Sequence, residues 1–136
     1  MLIHDGVRPL VDQETISKAI ACVKEHGSAI TVSPAIETIV IKQLDSRVEK
    51  ILDRSSCQHA KAPQCFRLGN ILAAHGMANK ERKNDFIDSA FLMQYYGFEL
   101  HTVEGKTENI KITTPSDFYM FRAIVDARES SEIFGL

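Results

Sequence analysis

The sequence predicts an α/β fold built on a mainly parallel sheet, from which one β-hairpin protrudes. Three observations carry this. Short runs rich in Val, Ile and Thr alternate with stretches of helical periodicity, the order expected when crossover helices join parallel strands. Capping signals bracket the helical stretches. Between them lie two β-branched runs, "TIVIKQ" and "RVEKIL", separated only by "LDS", which read as a hairpin with its turn region at Gln43 to Arg47. A hairpin with polar faces finds little to bury against its own domain, so residues 37–54 read as an arm that reaches a neighbouring chain.

Taken in order, "MLIHD" is a short buried strand leading to a loop at its carboxyl end. "DQETISKAIACVKEHG" is a helix: Asp12 caps its first turn, Ile16, Ala19, Ile20 and Val23 share a face, and Gly27 suits the left-handed stop. "SAITVSP" is a second strand, ended by Pro34, and the hairpin follows. "DRSSCQHAKAPQCF" reads as a loop with Pro63 near its middle. "RLGNILAAHGMANKER" carries a helical period through Leu68, Ile71, Leu72 and His75, weakened by Gly69 and Gly76. "DSAFLMQYYG" is a compact helix capped by Asp88 or Ser89, its Met and aromatic positions belonging to the core. "FELHTVEG" is a strand and "NIKIT" a very short strand or extended loop. "TPSDFYMFRAIVDARES" is the clearest helix, with Thr114 as N-cap, Pro115 at the first helical position and Asp117 in the capping-box place; Phe118, Phe121, Ala123, Ile124 and Val125 supply its buried side.

No repeat or linker divides the 136 residues, so residues 1–136 read as one domain. A net charge of -2 gives no nucleic-acid footprint, and no apolar run is long enough to span a bilayer. Three unclustered cysteines, Cys22, Cys57 and Cys65, fit reduced thiols in a cytoplasmic protein better than a disulfide framework or a structural zinc site, and no protein-held metal site is expected. The five histidines are scattered and read as surface or capping residues.

The charged residues at strand exits need a reason. In an open parallel sheet, ligands collect at the carboxyl ends of strands. Asp5 and Arg8 follow the first strand, Lys111 lies in the last extended piece, and Arg54 closes the hairpin. Arg and Lys suit a phosphate and Asp suits hydroxyls, so a phosphorylated, hydroxyl-bearing small molecule fits the set. Solvated turn chemistry is the alternative.

"LIHDGVRPLV", "ETI", "LDRSS", "APQCFRL" and "VEGKTENIKITTPSD", in this order, resemble the 2-C-methyl-D-erythritol 4-phosphate cytidylyltransferases of isoprenoid biosynthesis. They resemble equally the ribitol-5-phosphate cytidylyltransferases of cell-wall and capsule synthesis. The likeness runs from Leu2 to about Val125. It implies a Rossmann-like nucleotidyltransferase sheet, here partial, and an enzyme that joins CTP to a polyol phosphate with release of pyrophosphate, helped by Mg²⁺. By resemblance, Asp5 contacts substrate hydroxyls, Arg8 holds that end of the site, and Lys111 stabilises the charge of the reacting phosphates. Thr38 and Arg54, on the arm, bind substrate phosphate in the second subunit of a homodimer.

Two departures qualify the resemblance. The family's glycine-rich CTP loop has no counterpart, since the nearest of the seven glycines, Gly69 and Gly76, stand seven positions apart. The chain therefore reads as the carboxyl-terminal, acceptor-binding portion of such an enzyme, inactive by itself and with little affinity for CTP, its first strand left with apolar surface and an open edge. A non-catalytic dimerisation module that retains the arm is the alternative. Second, where the family places threonines that bond substrate, this chain has Ala62 in "KAPQ" and Ile87 in "FIDS". This leaves a related polyol phosphate as plausible an acceptor as methylerythritol phosphate, and "TIVI" after Glu37, which lacks the basic residue common in the methylerythritol enzymes, leans towards the ribitol type.

Overall fold

A computed structural model describes residues 1–135. Its strands are β1 (Leu2–Ile3), β2 (Ser28–Pro34), β3 (Val40–Lys42), β4 (Val48–Ile51), β5 (Gln58–Phe66) and β6 (Thr102–Glu104), and its helices are α1 (Gln13–His26), α2 (Leu68–Glu81), α3 (Ser89–Tyr95) and α4 (Pro115–Phe134). Four strands form one sheet in the order β1-β5-β2-β6, and β3 and β4 form the separate hairpin.

β5 pairs antiparallel with both β1 and β2, while β2 and β6 pair parallel. Hence β1, β2 and β6 all run one way and β5 alone is reversed. The sheet is mainly parallel in strand direction, as expected, but a reversed strand occupies its middle.

That strand is the main correction to the sequence reading, which made residues 53–66 a loop. Ala60, Ala62 and Pro63 carry little β propensity, and a proline breaks a hydrogen-bonded ladder. The register accommodates it: Ile30 faces Gln64 and Val32 faces Ala60, so the single residue Thr31 spans 61–63 in a bulge. Thr31 Oγ1 donates to Pro63 O at 2.6 Å, a side-chain bond that bridges the gap in the ladder. Burial of residues 62–66 between two helical layers, rather than local preference, makes this segment a strand.

Period-two alternation places the layers. Ala29 and Cys65 pack with Ala19 of α1 on one face, while Ile30, Val32 and Phe66 pack with Ile71, Ala74, Leu92 and Met93 of α2 and α3 on the other. The small side chains on the α1 face let that helix lie close. α1 is capped as its sequence requires: Asp12 accepts from Thr15 N, and Gly27 adopts φ 89°, a left-handed conformation that favours glycine. Its buried face is set by Thr15 and Ala19, with Ile20 outside it.

Other helical faces also differ from expectation. α2 buries Ile71, Ala74 and Ala78 and exposes Leu68 and Leu72. α4 has the expected capping box between Thr114 and Asp117, yet none of its residues is fully buried, and Phe118, Tyr119 and Met120 are exposed. The apolar period of α4 is real; the described residues supply no layer for it to face. Of "FELHTVEG" only Thr102–Glu104 is strand, and "NIKIT" is unpaired loop. β1 is an edge strand with Met1 and Leu2 exposed, not the buried strand that "MLIHD" predicts, because only one side of it is paired.

The hairpin stands off the sheet. Val40, Ile41, Val48 and Ile51 are all exposed on it, and its turn closes with Gln43 N donating to Arg47 O at 2.8 Å.

Candidate active site

The chain turns sharply as it leaves β1. Arg8 N donates to Asp5 O at 3.0 Å, closing a turn over "DGVR". The same turn brings Arg8 Nε to within 3.0 Å of Asp5 Oδ2. Arg8 is only 8% exposed, and its Nη1 donates to Asn109 O at 2.8 Å. A guanidinium withdrawn from water needs a counter-charge and acceptors for its N–H groups; the carboxylate and the carbonyl supply both.

Lys111 arrives from the other edge of the sheet, its Nζ 3.7 Å from Asp5 Oδ2. Burial pushes the Asp5 carboxyl pKa up, but the Arg8 hydrogen bond and the charges of Lys111 and Arg8 outweigh it and leave the group below the ordinary carboxylate value. Asp5 is therefore ionised at neutral pH and can accept from hydroxyls.

Asp5, Arg8 and Lys111 line one cavity of about 300 Å³. Strand direction explains the convergence. β1 and β6 share a carboxyl-terminal end, where Asp5, Arg8 and the segment leading to Lys111 emerge. Because β5 is reversed, its amino-terminal part comes to the same end and adds Lys61 and Ala62 to the wall. Ile87, Asp88 and Ser89 close the far side. Asp88 is structurally engaged, accepting from Gln64 Nε2 at 3.1 Å and, as cap of α3, from Phe91 N at 2.8 Å. Ala62 and Ile87, singled out where hydroxyls are missing, both border the cavity.

Thr38 and Arg54 lie elsewhere. Thr38 is exposed at the base of the hairpin, and Arg54 donates to Ile36 O at 2.9 Å beside a separate concavity of about 480 Å³. Within one chain, three of the five singled-out residues meet and two do not.

Sequence reasoning missed Lys61 and Asn109. Lys61 Nζ donates to Thr107 O at 3.1 Å and Asn109 O at 3.3 Å. Burial, then the neighbouring Arg8 charge, lowers its pKa from the ordinary lysine value. Asn109 is buried and its Nδ2 donates to Ala62 O at 2.7 Å. Lys61 sat in a stretch read as a loop, so no pattern could place it; Asn109 stood in plain sight two residues before Lys111.

No group of three or more His, Cys, Asp or Glu among the described residues is placed to hold a metal ion. Asp5 already faces two cations and Asp88 caps a helix, so neither carboxylate is free to hold a metal ion by itself.

Asp5, Arg8 and Lys111, gathered around one cavity at the strand exits, place the chain among three-layer α/β domains of the ligand-binding kind. More narrowly, the chain belongs to the 2-C-methyl-D-erythritol 4-phosphate cytidylyltransferase (IspD) family, whose sequence pattern matches residues 1–127. It is 50% identical over 136 residues to a ribitol-5-phosphate cytidylyltransferase of Streptococcus agalactiae serotype III, covering 100% of this chain and 57% of the relative. It is 47% identical over 135 residues to the protein of that name from Vibrio parahaemolyticus, covering 99% of this chain and again 57% of the relative. The crystal structure of 4-diphosphocytidyl-2C-methyl-D-erythritol synthase from Anaerococcus prevotii superposes with a TM-score of 0.84 at 27% identity, covering 92% of this chain and 57% of that one. The chain thus spans little more than half the length of these relatives.

Proposed function

We propose that this chain is the acceptor-binding portion of a CTP-dependent cytidylyltransferase and that its acceptor is ribitol 5-phosphate. The observation that carries this is the meeting of Asp5, Arg8 and Lys111 in one cavity of a chain that belongs to the family. Asp5 accepts hydrogen bonds from polyol hydroxyls while Arg8 orients it. An acceptor phosphate oxygen attacks the α-phosphorus of CTP, a new P–O bond forms, and the bond to the bridging oxygen breaks as pyrophosphate leaves. Lys111 stabilises the negative charge that builds on the phosphoryl oxygens, an electrostatic contribution that grows in the transition state. Mg²⁺ belongs to the proposal only as a companion of the nucleotide phosphates.

The choice of ribitol 5-phosphate rests on the relatives' names at 47% and 50% identity and on Ala62 and Ile87 in the cavity wall. The hairpin, read from its sequence as polar-faced, exposes the apolar Val40, Ile41, Val48 and Ile51, and these support a homodimer in which Thr38 and Arg54 complete the neighbour's site. The gathered cations favour an enzyme over a non-catalytic dimerisation module, which would have no use for them.

The test is a chimera in which this chain replaces the matching residues of the Streptococcus agalactiae relative. Pyrophosphate release from CTP is expected with ribitol 5-phosphate and to be much slower with methylerythritol phosphate. A folded chimera that releases none with either acceptor overturns the reading; faster release with methylerythritol phosphate overturns the choice of acceptor.

A further inference from the structure

Lys61 is the third cation bordering the cavity, and its chemistry differs from that of Arg8 and Lys111. Its ammonium spends two N–H groups on the carbonyls of Thr107 and Asn109, at 3.1 and 3.3 Å. The next residue, Ala62, offers its carbonyl to Asn109 Nδ2 at 2.7 Å. Adjacent residues of β5 therefore hold segment 107–109 with bonds running in both directions. Arg8 adds a third strap, its Nη1 2.8 Å from the Asn109 oxygen that Lys61 also bonds.

This segment has no strand partner of its own. After Asn109 the next attachment is Ile112 N, which donates to Val7 O at 2.9 Å. Lys111 stands between these anchors. Its side chain is half exposed and, among the described residues, makes no hydrogen bond, only the 3.7 Å approach to Asp5. A four-carbon stem held so loosely takes its direction from the backbone, so whatever fixes residues 107–112 decides where the Lys111 ammonium points.

The placement of Lys61 has a cost. An ammonium and a guanidinium share one carbonyl oxygen, and among the described residues no carboxylate pairs with Lys61. Like charges so close repel, and a neutral donor would hold the carbonyls without that penalty. A lysine in this position fits a site where positive field is wanted as well as attachment.

We propose that Lys61 is a positioning residue for Lys111, clamping segment 107–109 onto β5 so that the Lys111 ammonium is presented to the cavity. What Lys111 then does rests on the function proposed above; how it is held does not.

Two measurements test this separately. In the chimera, Lys61→Met is expected to lower kcat about 10- to 100-fold with the acceptor KM changed less than about threefold, as for a displaced reacting group. Lys61→Arg, which keeps the charge and the donors, is expected to recover most of the rate. A raised acceptor KM at unchanged kcat overturns the proposal, because Lys61 would then be touching the acceptor. In the chain by itself, amide exchange at Ile112 is expected to quicken at least about tenfold in Lys61→Met, with the sheet amides of Ile30 and Phe66 unchanged. Unchanged exchange at Ile112, or equal acceleration everywhere, overturns it. An inactive unsubstituted chimera discards the proposed function alone, since the exchange measurement still decides the clamp.

Discussion

Arg8 Nη1 lies 2.8 Å from the carbonyl oxygen of Asn109, a residue 101 positions further along the chain. One bond therefore ties the exit of β1 to the segment after β6, the two edges of the sheet, and the candidate site lies between them. The bond is buried, and Arg8 also balances Asp5. Arg8→Met takes the nearer of two cations from a half-buried carboxylate and one of two donors from a buried carbonyl, and is expected to cost about 1–3 kcal/mol in chemical denaturation. Asp5→Asn in the same background should recover part of that loss by removing the stranded charge. A cost under about 1 kcal/mol would show that the pair does not organise this end of the sheet.

Lys111 should behave in the opposite way. Its contact with Asp5 is long and partly solvated, so Lys111→Met is expected to change stability by less than about 0.5 kcal/mol. In the chimera the same substitution should lower kcat about 10²–10³-fold, the usual effect of deleting one group that stabilises transition-state charge. Thermal melting and steady-state rates on one preparation separate the two effects. Full activity would end the role assigned to Lys111.

Gly105 starts the segment that carries Asn109 and Lys111. A Cβ built there would stand 2.7 Å from Thr31 Cγ2, and Thr31 is fully buried and bonded to Pro63 O. Thr31 cannot yield cheaply. Gly105→Ala is expected to destabilise by about 1–3 kcal/mol through overpacking, read from a denaturant midpoint shift at constant slope. Gly76→Ala, on open helix surface with nothing within 4 Å, should instead stabilise slightly.

The cap of α4 gives a pH signature. Asp117 accepts from Thr113 N at 3.0 Å and Thr114 N at 2.8 Å, and these bonds hold its pKa at about 2, against the ordinary 3.8. A carboxyl whose pKa falls on folding stabilises the folded state fully above its unfolded pKa, and the contribution fades as pH drops through the folded value. Protection of the Thr113 and Thr114 amides should therefore be flat above about pH 4 and decline towards pH 2. Asp117→Asn should abolish the dependence. A midpoint near 4 in the unsubstituted protein would mean that the box is not formed.

The hairpin carries the prediction about assembly. Ile41 and Val48 are exposed on opposite strands of it. Light scattering on the unsubstituted chain is expected to give a dimer, and Ile41→Asp with Val48→Asp a monomer that keeps its thermal midpoint. A monomer without any substitution would remove the basis for assigning Thr38 and Arg54 to a neighbour's site.

Local chemistry made much of this legible in advance. Asp12 and Gly27 bracket α1, Thr114, Pro115 and Asp117 start α4, and the turn at Gln43 to Arg47 closes the hairpin, because caps and turns depend on residues a few positions apart. Asp5, Arg8 and Lys111 could be singled out because charge at a strand exit is visible in one dimension, and the order of the motifs identified the family.

What the order of residues by itself determined was thus the helices with their starts, the hairpin and three of the groups around the cavity. Only the tertiary structure decided that residues 58–66 form a strand and that it runs backwards between β1 and β2. Nothing local favours that: two alanines and a proline prefer other conformations, and burial between the helical layers outweighs them. The reversal carries Lys61 to the carboxyl ends of its neighbours, so the clamp on Asn109 arises from strand direction, a property of the packed sheet that a linear pattern does not contain.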